Sequence, residues 1–204
     1  MHVSRFAHGL MAGVMTLACA ALLSGCDRPG SGPAGAPKAS YTAMDISGAG
    51  YAHELKLPDV DGHLRSLEEF KGKVVFVFFG FTHCPDVCPT TLFEISEIMK
   101  KLGADAKIHG LFVTVDPERD TAELLKSYLS SFDRRIVGLT GERPAVDAML
   151  KAYRVYSRKV PGEGDTYSMD HSSIVYLMDR EMRFVNAVPM QDQARAIAEI
   201  RRWM

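Results

Sequence analysis

Two apolar runs, rich in β-branched and aromatic residues, lie at residues 73–80 and 108–115. Continuous runs of this kind predict strands that are buried on both faces of a sheet. Three shorter runs predict further strands: 136–139, 173–178 and 183–188. Residues 179–181 separate the last two runs and predict a turn between them, so the pattern favours a sheet that ends in a hairpin.

Apolar residues spaced three or four positions apart follow most of these runs and predict amphipathic helices. The first such set is Leu92, Ile95, Met99 and Leu102, with Gly103 as its stop; the second is Leu124, Leu125, Tyr128, Leu129 and Phe132; the third is Val146, Met149, Leu150 and Tyr153, with Pro144 near its start. A last helix is predicted at 191–203. Strands that alternate with helices predict an α/β fold with a mixed central sheet flanked by helices.

A short segment before the first buried strand predicts its own small elements. Residues 53–57 favour a strand, and Asp61-Gly62 is a hairpin turn signal. Residues 66–70 predict a helical turn, because Ser66 is followed three residues later by Glu69, as in a capping box.

The first 25 residues contain no acidic side chain and one strong base, Arg5. Residues 9–23 are uncharged but too few to span a bilayer, which takes about 20 apolar residues. A basic start followed by such a stretch predicts an export signal. It ends in Leu-Ser-Gly-Cys, which resembles a bacterial lipobox and implies that residues 1–25 are a lipoprotein signal peptide and that Cys26 is lipidated. An ordinary signal peptide is the alternative.

The segment after Cys26 has the composition of a tether. Residues 27–40 include three Pro, three Gly and three Ala, which offer nothing to pack. We expect residues 26–45 to be a lipidated N-terminus with a flexible linker, and residues 46–204 to be the folded domain. Asp27, directly after the lipobox cysteine, implies retention at the bacterial inner membrane, with the domain facing the periplasm.

Composition excludes several classes of protein. The 204 residues carry 24 Lys and Arg against 25 Asp and Glu, a formal charge of -1 that gives no electrostatic basis for binding nucleic acid. With 47% hydrophobic residues, the chain is neither disordered nor collagen-like, and it lacks the repeated spans of a multi-pass membrane protein.

Cys84 and Cys88 follow the first buried strand and are four residues apart. On a helical turn this spacing brings Cβ atoms to about 5–6 Å, and a helix N-terminus favours thiolates. Three kinds of site remain open for this pair. A structural disulfide would close too short a loop to stabilise the chain much. A thioredoxin-type redox pair has two intervening residues rather than three. A metal site needs more ligands than two sulfurs.

Three segments together resemble the Sco (SenC) family: FGFTHCPDVCP at 79–89, VTVDPERDT at 113–121 and DHSSIVYLMD at 170–179. Members are membrane-tethered proteins of thioredoxin-like fold that bind copper and serve cytochrome oxidase assembly. The resemblance implies that Cys84, Cys88 and His171 are the metal ligands. Two thiolates and an imidazole form a soft set that suits Cu(I), and with additional ligands such a set accepts Cu(II).

The function implied by this resemblance is that of a copper metallochaperone for the dinuclear copper site of cytochrome c oxidase subunit II, acting on that subunit or its assembly factors. The main alternative is a thiol-disulfide oxidoreductase or redox sensor that uses Cys84 and Cys88 as a redox-active pair on the same acceptor, so enzyme status stays open. A peroxidase is disfavoured because Phe81 stands where peroxiredoxin-like sites place Thr or Ser. A passive module with an inert disulfide is a further alternative.

Residues beside His171 yield more specific expectations. We expect His171 in a loop before a strand, with Asp170 as a candidate hydrogen-bond partner for its second ring nitrogen. Met169 offers a soft sulfur two residues away, but we interpret it as a loop methionine.

Polar residues in the other two motifs are expected to have structural roles. We interpret His83 as a surface or supporting residue and Asp86 as a solvated turn carboxylate. Asp116 ends the second buried strand, where we expect turn chemistry, with Asp120 or Thr121 capping the next helix.

Overall fold

The structure is a computed structural model that describes residues 50–52 and 54–204. The predicted signal peptide, the lipidation site at Cys26, the linker and the domain boundary at residue 46 lie outside the described residues. His53, the first residue of the first predicted strand, does as well. No helix in the described part of the chain is long and apolar enough to cross a membrane.

Nine strands and four α-helices make up the described chain. The strands are β1 Lys56–Pro58, β2 Leu64–Ser66, β3 Val74–Gly80, β4 Ile108–Thr114, β5 Ile136–Leu139, β6 Ser157–Pro161, β7 Tyr167–His171, β8 Val175–Met178 and β9 Phe184–Ala187. The helices are α1 Val87–Leu102, α2 Ala122–Leu129, α3 Arg143–Ala152 and α4 Gln193–Trp203, with a short 3-10 helix at Leu67–Phe70.

The central sheet has five strands in the order β5-β4-β3-β8-β9. β3, β4 and β5 run parallel to one another, whereas β8 and β9 add antiparallel pairs on the other side of β3. All seven residues of β3 are buried, as its continuous apolar run predicts for a central strand. The mixed central sheet expected from the sequence is therefore confirmed.

Aromatic contacts show that both faces of the sheet are covered. On one face Phe78 contacts Phe112 with ring centroids 5.9 Å apart, and Phe112 contacts Tyr128 of α2 at 6.0 Å. On the opposite face Phe79 contacts Tyr153, directly after α3, at 5.1 Å. Helices thus cover both faces, which confirms the flanked sheet.

Several boundaries differ from the sequence prediction by a few residues. The first strand begins at Lys56 and pairs with β2 around the predicted Asp61-Gly62 turn. α2 ends at Leu129, so Phe132 lies beyond the helix rather than in it. The hydroxyl of Thr121 accepts a hydrogen bond from the backbone N–H of Leu124 and caps α2, which settles the choice between Asp120 and Thr121 as the cap.

The hairpin of β6 and β7 was not predicted. It forms a two-stranded antiparallel sheet of its own, in which Ser157 pairs with His171. Nearly all its residues are exposed or half-buried, so it lacks the apolar alternation that marks a strand in a sequence. The expected loop around His171 is therefore wrong, because His171 is the last residue of β7. Met169 is likewise a buried strand residue, not a loop methionine.

Candidate metal centre

The cysteine segment lies at the carboxyl end of β3, where the chain turns into α1. Cys84 precedes the helix, and Cys88 lies in its first turn. The backbone N–H of Cys88 donates to Sγ of Cys84 at 3.3 Å, and the backbone N–H of Cys84 donates to the carbonyl of Phe81 at 3.3 Å. The helical turn expected to contain both cysteines therefore contains only Cys88. Pro89 fits because the first turn of a helix leaves its N–H groups without intrahelical partners.

The two cysteines, both free thiols, differ in their surroundings. Cys88 is fully buried, and burial raises the pKa of its thiol, with the hydrogen bond from Cys84 acting in the same direction. Cys84 is half-buried and receives the helix N–H donor. The expectation that a helix N-terminus favours the thiolate fails for Cys88, because desolvation outweighs the favourable backbone interaction.

His171 approaches the sulfurs from the end of β7. Its Nε2 lies 3.6 Å from Sγ of Cys88, and its Nδ1 lies 2.9 Å from the carbonyl oxygen of Ser172. A carbonyl only accepts, so Nδ1 is the donor, and in the neutral ring Nε2 then has a free lone pair directed toward the sulfur. The imidazole also meets the ring of Phe81 edge-on, with centroids 5.7 Å apart.

Asp170 does not support the imidazole as the sequence suggested. Its carboxylate is exposed and lies 3.9 Å from the guanidinium of Arg158. The backbone of Ser172 occupies the position that Asp170 was expected to take. Adjacent residues of a strand point to opposite faces, which explains why a sequence neighbour of His171 cannot serve it.

One donor atom from each of Cys84, Cys88 and His171 lies within 4.8 Å of the other two. Nitrogen and sulfur donors lie about 2.0–2.3 Å from a bound ion such as zinc, so three donors around one ion stand about 4 Å apart. The observed set needs only a small adjustment to reach that geometry. Two sulfurs and one imidazole suit a soft ion such as Cu(I).

Asp120 forms a buried anchor for the loop before Cys84. Its carboxylate accepts hydrogen bonds from the hydroxyls of Thr82 and Thr114, both at 2.6 Å, and from the backbone N–H of Thr82 at 3.2 Å. Burial raises the pKa of Asp120, although these hydrogen bonds oppose the shift. The carboxylate therefore joins the end of β4 to the cysteine loop and does not cap α2.

His83 and Asp86 stay outside the donor cluster. Nδ1 of His83 lies 3.0 Å from the hydroxyl of Thr82, and about half of the side chain is exposed. The carboxylate of Asp86 accepts from the hydroxyl of Thr90 at 3.3 Å on the exposed start of α1. Both placements agree with the surface roles expected from the sequence.

Asp116 does not end β4, which stops at Thr114 two residues earlier. It is fully buried and binds Nε of Arg119 at 2.5 Å, while the hydroxyl of Tyr167 donates to its other oxygen at 2.9 Å. Turn chemistry alone is therefore an incomplete interpretation of Asp116, because its carboxylate also holds β7.

Gly80 is needed for the close approach of Cys88 to the sheet. A Cβ placed on Gly80 would lie 2.9 Å from Sγ of Cys88 and 2.8 Å from the ring of Phe112. Sequence reasoning missed this residue, because a glycine at a strand end carries no periodic signal. It also missed Arg119 and Tyr167, because their contact joins residues 48 positions apart in the chain and leaves no local signal.

Comparison with known proteins gives matches over most of the described chain. A family model described as SCO1/SenC matches residues 45–204. A SCO2-like protein of Rickettsia felis is 34% identical over 149 residues, which are 72% of this chain and 73% of that protein. The mitochondrial SCO2 homolog of Bos taurus is 35% identical over 156 residues, which are 74% of this chain but only 59% of that protein.

A solved structure, that of Bradyrhizobium japonicum ScoI with copper bound, is similar with a TM-score of 0.71 and 44% sequence identity. The similarity covers 76% of this chain and 99% of that one. Together with the mixed sheet flanked by helices, it confirms the thioredoxin-like α/β fold expected from the sequence.

Proposed function

The chain belongs to the SCO1/SenC family, and on that premise we propose that it is a membrane-tethered copper metallochaperone for the dinuclear copper site of cytochrome c oxidase subunit II. The observation that carries the proposal is the meeting of Cys84, Cys88 and His171, whose donor atoms lie within 4.8 Å of one another. The copper bound by ScoI, at 44% identity, supports copper as the ion. The oxidase target follows from the resemblance of the three sequence motifs to the Sco family.

A chaperone must release its ion, and the unequal exposure of the ligands suits that task. Cys84 and His171 are half-buried at the surface, whereas Cys88 is fully buried. An incoming thiolate of the acceptor reaches the ion on the side of Cys84, where its bond to copper replaces the bond from Cys84. Exchange of the remaining ligands then moves Cu(I) to the acceptor with no change of oxidation state.

The membrane tether and location belong to the same proposal. Lipidation of Cys26 would hold the domain at the periplasmic face of the inner membrane, and the segment that follows would let it reach membrane partners. Labelling with a fatty-acid analogue should modify the wild-type chain and not a Cys26→Ser variant.

Complementation tests the proposed function. In cells that lack the chromosomal copy, the wild-type gene should restore cytochrome oxidase activity, and the Cys84→Ser, Cys88→Ser and His171→Ala variants should not. In a matched transfer assay, the Cu(I)-loaded domain should metallate the apo subunit II domain. Full restoration of oxidase activity by all three variants would refute the proposal.

The alternative function, thiol-disulfide exchange, is favoured by one observation. Cys84 is half-buried, and its Sγ accepts a hydrogen bond from the backbone N–H of Cys88, whereas Cys88 is fully buried. This arrangement matches a redox pair in which an accessible thiol attacks and a buried thiol resolves the mixed disulfide. The Cys84 thiolate would attack an acceptor disulfide and release one acceptor thiol. Cys88 would then displace the second thiol, so that the acceptor is reduced and Cys84–Cys88 is oxidised. His171→Ala distinguishes the two functions, because only the chaperone requires the imidazole as a ligand.

A further inference from the structure

Arg119 contacts residues on both chain segments that carry the candidate ligands, although it supplies no ligand itself. Its guanidinium lies 3.7 Å from the ring centroid of Tyr167 in β7 and 5.8 Å from that of Phe81 in the loop before Cys84. The side chain is about three-quarters buried, with 24% of its surface exposed. It therefore lies between the strand that carries His171 and the segment that carries the cysteines.

On the histidine side, the contacts of Arg119 hold the start of β7. Nη1 donates to the carbonyl of Tyr167 at 2.8 Å, and the guanidinium stacks on the ring of the same residue. The Tyr167 hydroxyl donates to Asp116, whose other oxygen binds Nε of Arg119. The start of β7 is thus tied to the chain after β4 by a closed set of contacts.

On the side of the cysteines, Phe81 links Arg119 to the segment before Cys84. Its ring lies 5.8 Å from the guanidinium of Arg119 and meets the imidazole of His171 edge-on at 5.7 Å. The carbonyl of the same residue accepts the backbone N–H of Cys84. One aromatic side chain therefore contacts both the imidazole and the segment that orients the first cysteine.

The hairpin of β6 and β7 needs such an anchor. It pairs with no strand of the central sheet, and its side chains are mostly exposed. An isolated two-stranded hairpin is marginally stable in water at best, so its position depends on contacts from outside. His171 is the last residue of this hairpin, so a shift of the hairpin changes the distance from Nε2 to the sulfurs.

We propose that Arg119 is a positioning residue that holds the imidazole of His171 against Cys84 and Cys88 by clamping Tyr167 and Phe81 together. The inference rests on the proposed copper site, because it concerns the same three donors. A planar guanidinium is required, since it stacks and donates two directed hydrogen bonds at once, which an ammonium group does not do.

Arg135 offers a matched control. Its Nε donates to Asp133 at 2.9 Å and its Nη1 donates to the carbonyl of Gly103 at 2.9 Å, so it repeats the contacts of Arg119 with a carboxylate and a carbonyl. It has a similar exposure of 16% and is no part of the metal centre. Arg135→Gln therefore reports the general cost of losing a buried arginine.

The test measures Cu(I) affinity by competition with a chromophoric chelator for wild type, Arg119→Gln, Arg119→Lys and Arg135→Gln. Loss of a group that orients a metal ligand typically lowers metal affinity by about 10- to 100-fold, and we expect both Arg119 variants to fall in this range. Arg135→Gln should keep wild-type affinity. In a His171→Ala background, Arg119→Gln should cause little further loss, because the two changes act on the same ligand.

A second measurement needs no copper. In the apo protein, the ring signals of His171 in proton–nitrogen NMR spectra should shift or broaden in Arg119→Gln and Arg119→Lys, and stay unchanged in Arg135→Gln. If Arg119→Gln does not fold, Arg119→Lys supplies both measurements. The inference is overturned if the Arg119 variants keep the wild-type affinity and ring signals, or if Arg135→Gln changes them equally. It is also overturned if the loss in Arg119→Gln persists without His171. A wild-type protein that binds no Cu(I) would contradict the proposed function, while the apo spectra would still test the role of Arg119.

Discussion

The substitution Gly80→Ala tests whether the close packing of the Cys88 side chain against β3 matters for the metal centre. The new methyl carbon would lie 2.9 Å from Sγ of Cys88 and 2.8 Å from a ring carbon of Phe112. Backbone conformation is no obstacle, because Gly80 is not among the glycines with positive φ. Any strain in the folded Gly80→Ala variant therefore comes from the contact of the new methyl group and not from the backbone conformation.

The size of the effect follows from these distances. Non-bonded carbon atoms in favourable contact are about 3.5–4.0 Å apart, so Sγ of Cys88 must retreat by at least about 0.6 Å and the Phe112 ring must move as well. Overpacking of a filled core costs about 1–3 kcal/mol of unfolding free energy. A displaced Sγ also leaves its place 3.6 Å from Nε2 of His171, and we expect a loss of Cu(I) affinity of about tenfold or more.

Gly110→Ala is the matched control, since a Cβ there would lie 2.9 Å from Cγ1 of Ile136 in the same sheet. Urea unfolding should show a loss of about 1–3 kcal/mol for both variants. Cu(I) competition titrations should show weaker binding only for Gly80→Ala. Wild-type copper affinity in Gly80→Ala, or an equal loss in Gly110→Ala, would show that the contact at Gly80 does not shape the metal centre.

Three further predictions concern stability. Burial raises the pKa of Asp120 above its ordinary 3.8. The contribution of protonated Asp120 to the stability of the fold is therefore fully present below pH 3.8 and is lost as pH rises through the pKa of the folded protein. In urea unfolding, the stability of wild type relative to Asp120→Asn should fall as pH rises, and a difference that does not change with pH would contradict this. The hydrogen bond from Arg135 lowers the pKa of Asp133, so the stabilisation of the fold by ionised Asp133 is present above pH 3.8 and is lost in acid. The free energy of unfolding of wild type should therefore fall toward that of Asp133→Asn as pH falls. Thr121→Ala removes the cap of α2 and should cost about 1 kcal/mol in thermal or urea unfolding; no change would argue against the cap.

Much of the fold follows from the sequence because burial leaves a trace, either a continuous apolar run or apolar residues at regular spacing. The runs at 73–80 and 108–115 are mostly apolar because β3 and β4 lie in the middle of the sheet. The β6–β7 hairpin leaves no such trace, since its stability comes from backbone pairing and from contacts such as that of Arg119 with Tyr167. Long-range contacts of polar residues have no local signature, so the hairpin was expected as a loop.

The candidate ligands could be predicted, but not the residues that orient them. Cys84, Cys88 and His171 stand out by residue type and by family resemblance, and the structure brings them together. The partner of the imidazole is a backbone carbonyl, which any residue could provide, so its identity is absent from the sequence. Gly80 matters because a Cβ at this position would collide with Sγ of Cys88, and that contact can be seen only in the folded structure.

The most direct test of the proposed metal centre is the ligand set of the bound ion. X-ray absorption of the anaerobically prepared protein with one Cu(I) should show two sulfur neighbours and one nitrogen. The nitrogen should vanish in His171→Ala, and one sulfur should vanish in either Cys84→Ser or Cys88→Ser. A copper environment that is the same in wild type and all three variants would contradict the proposed ligand set.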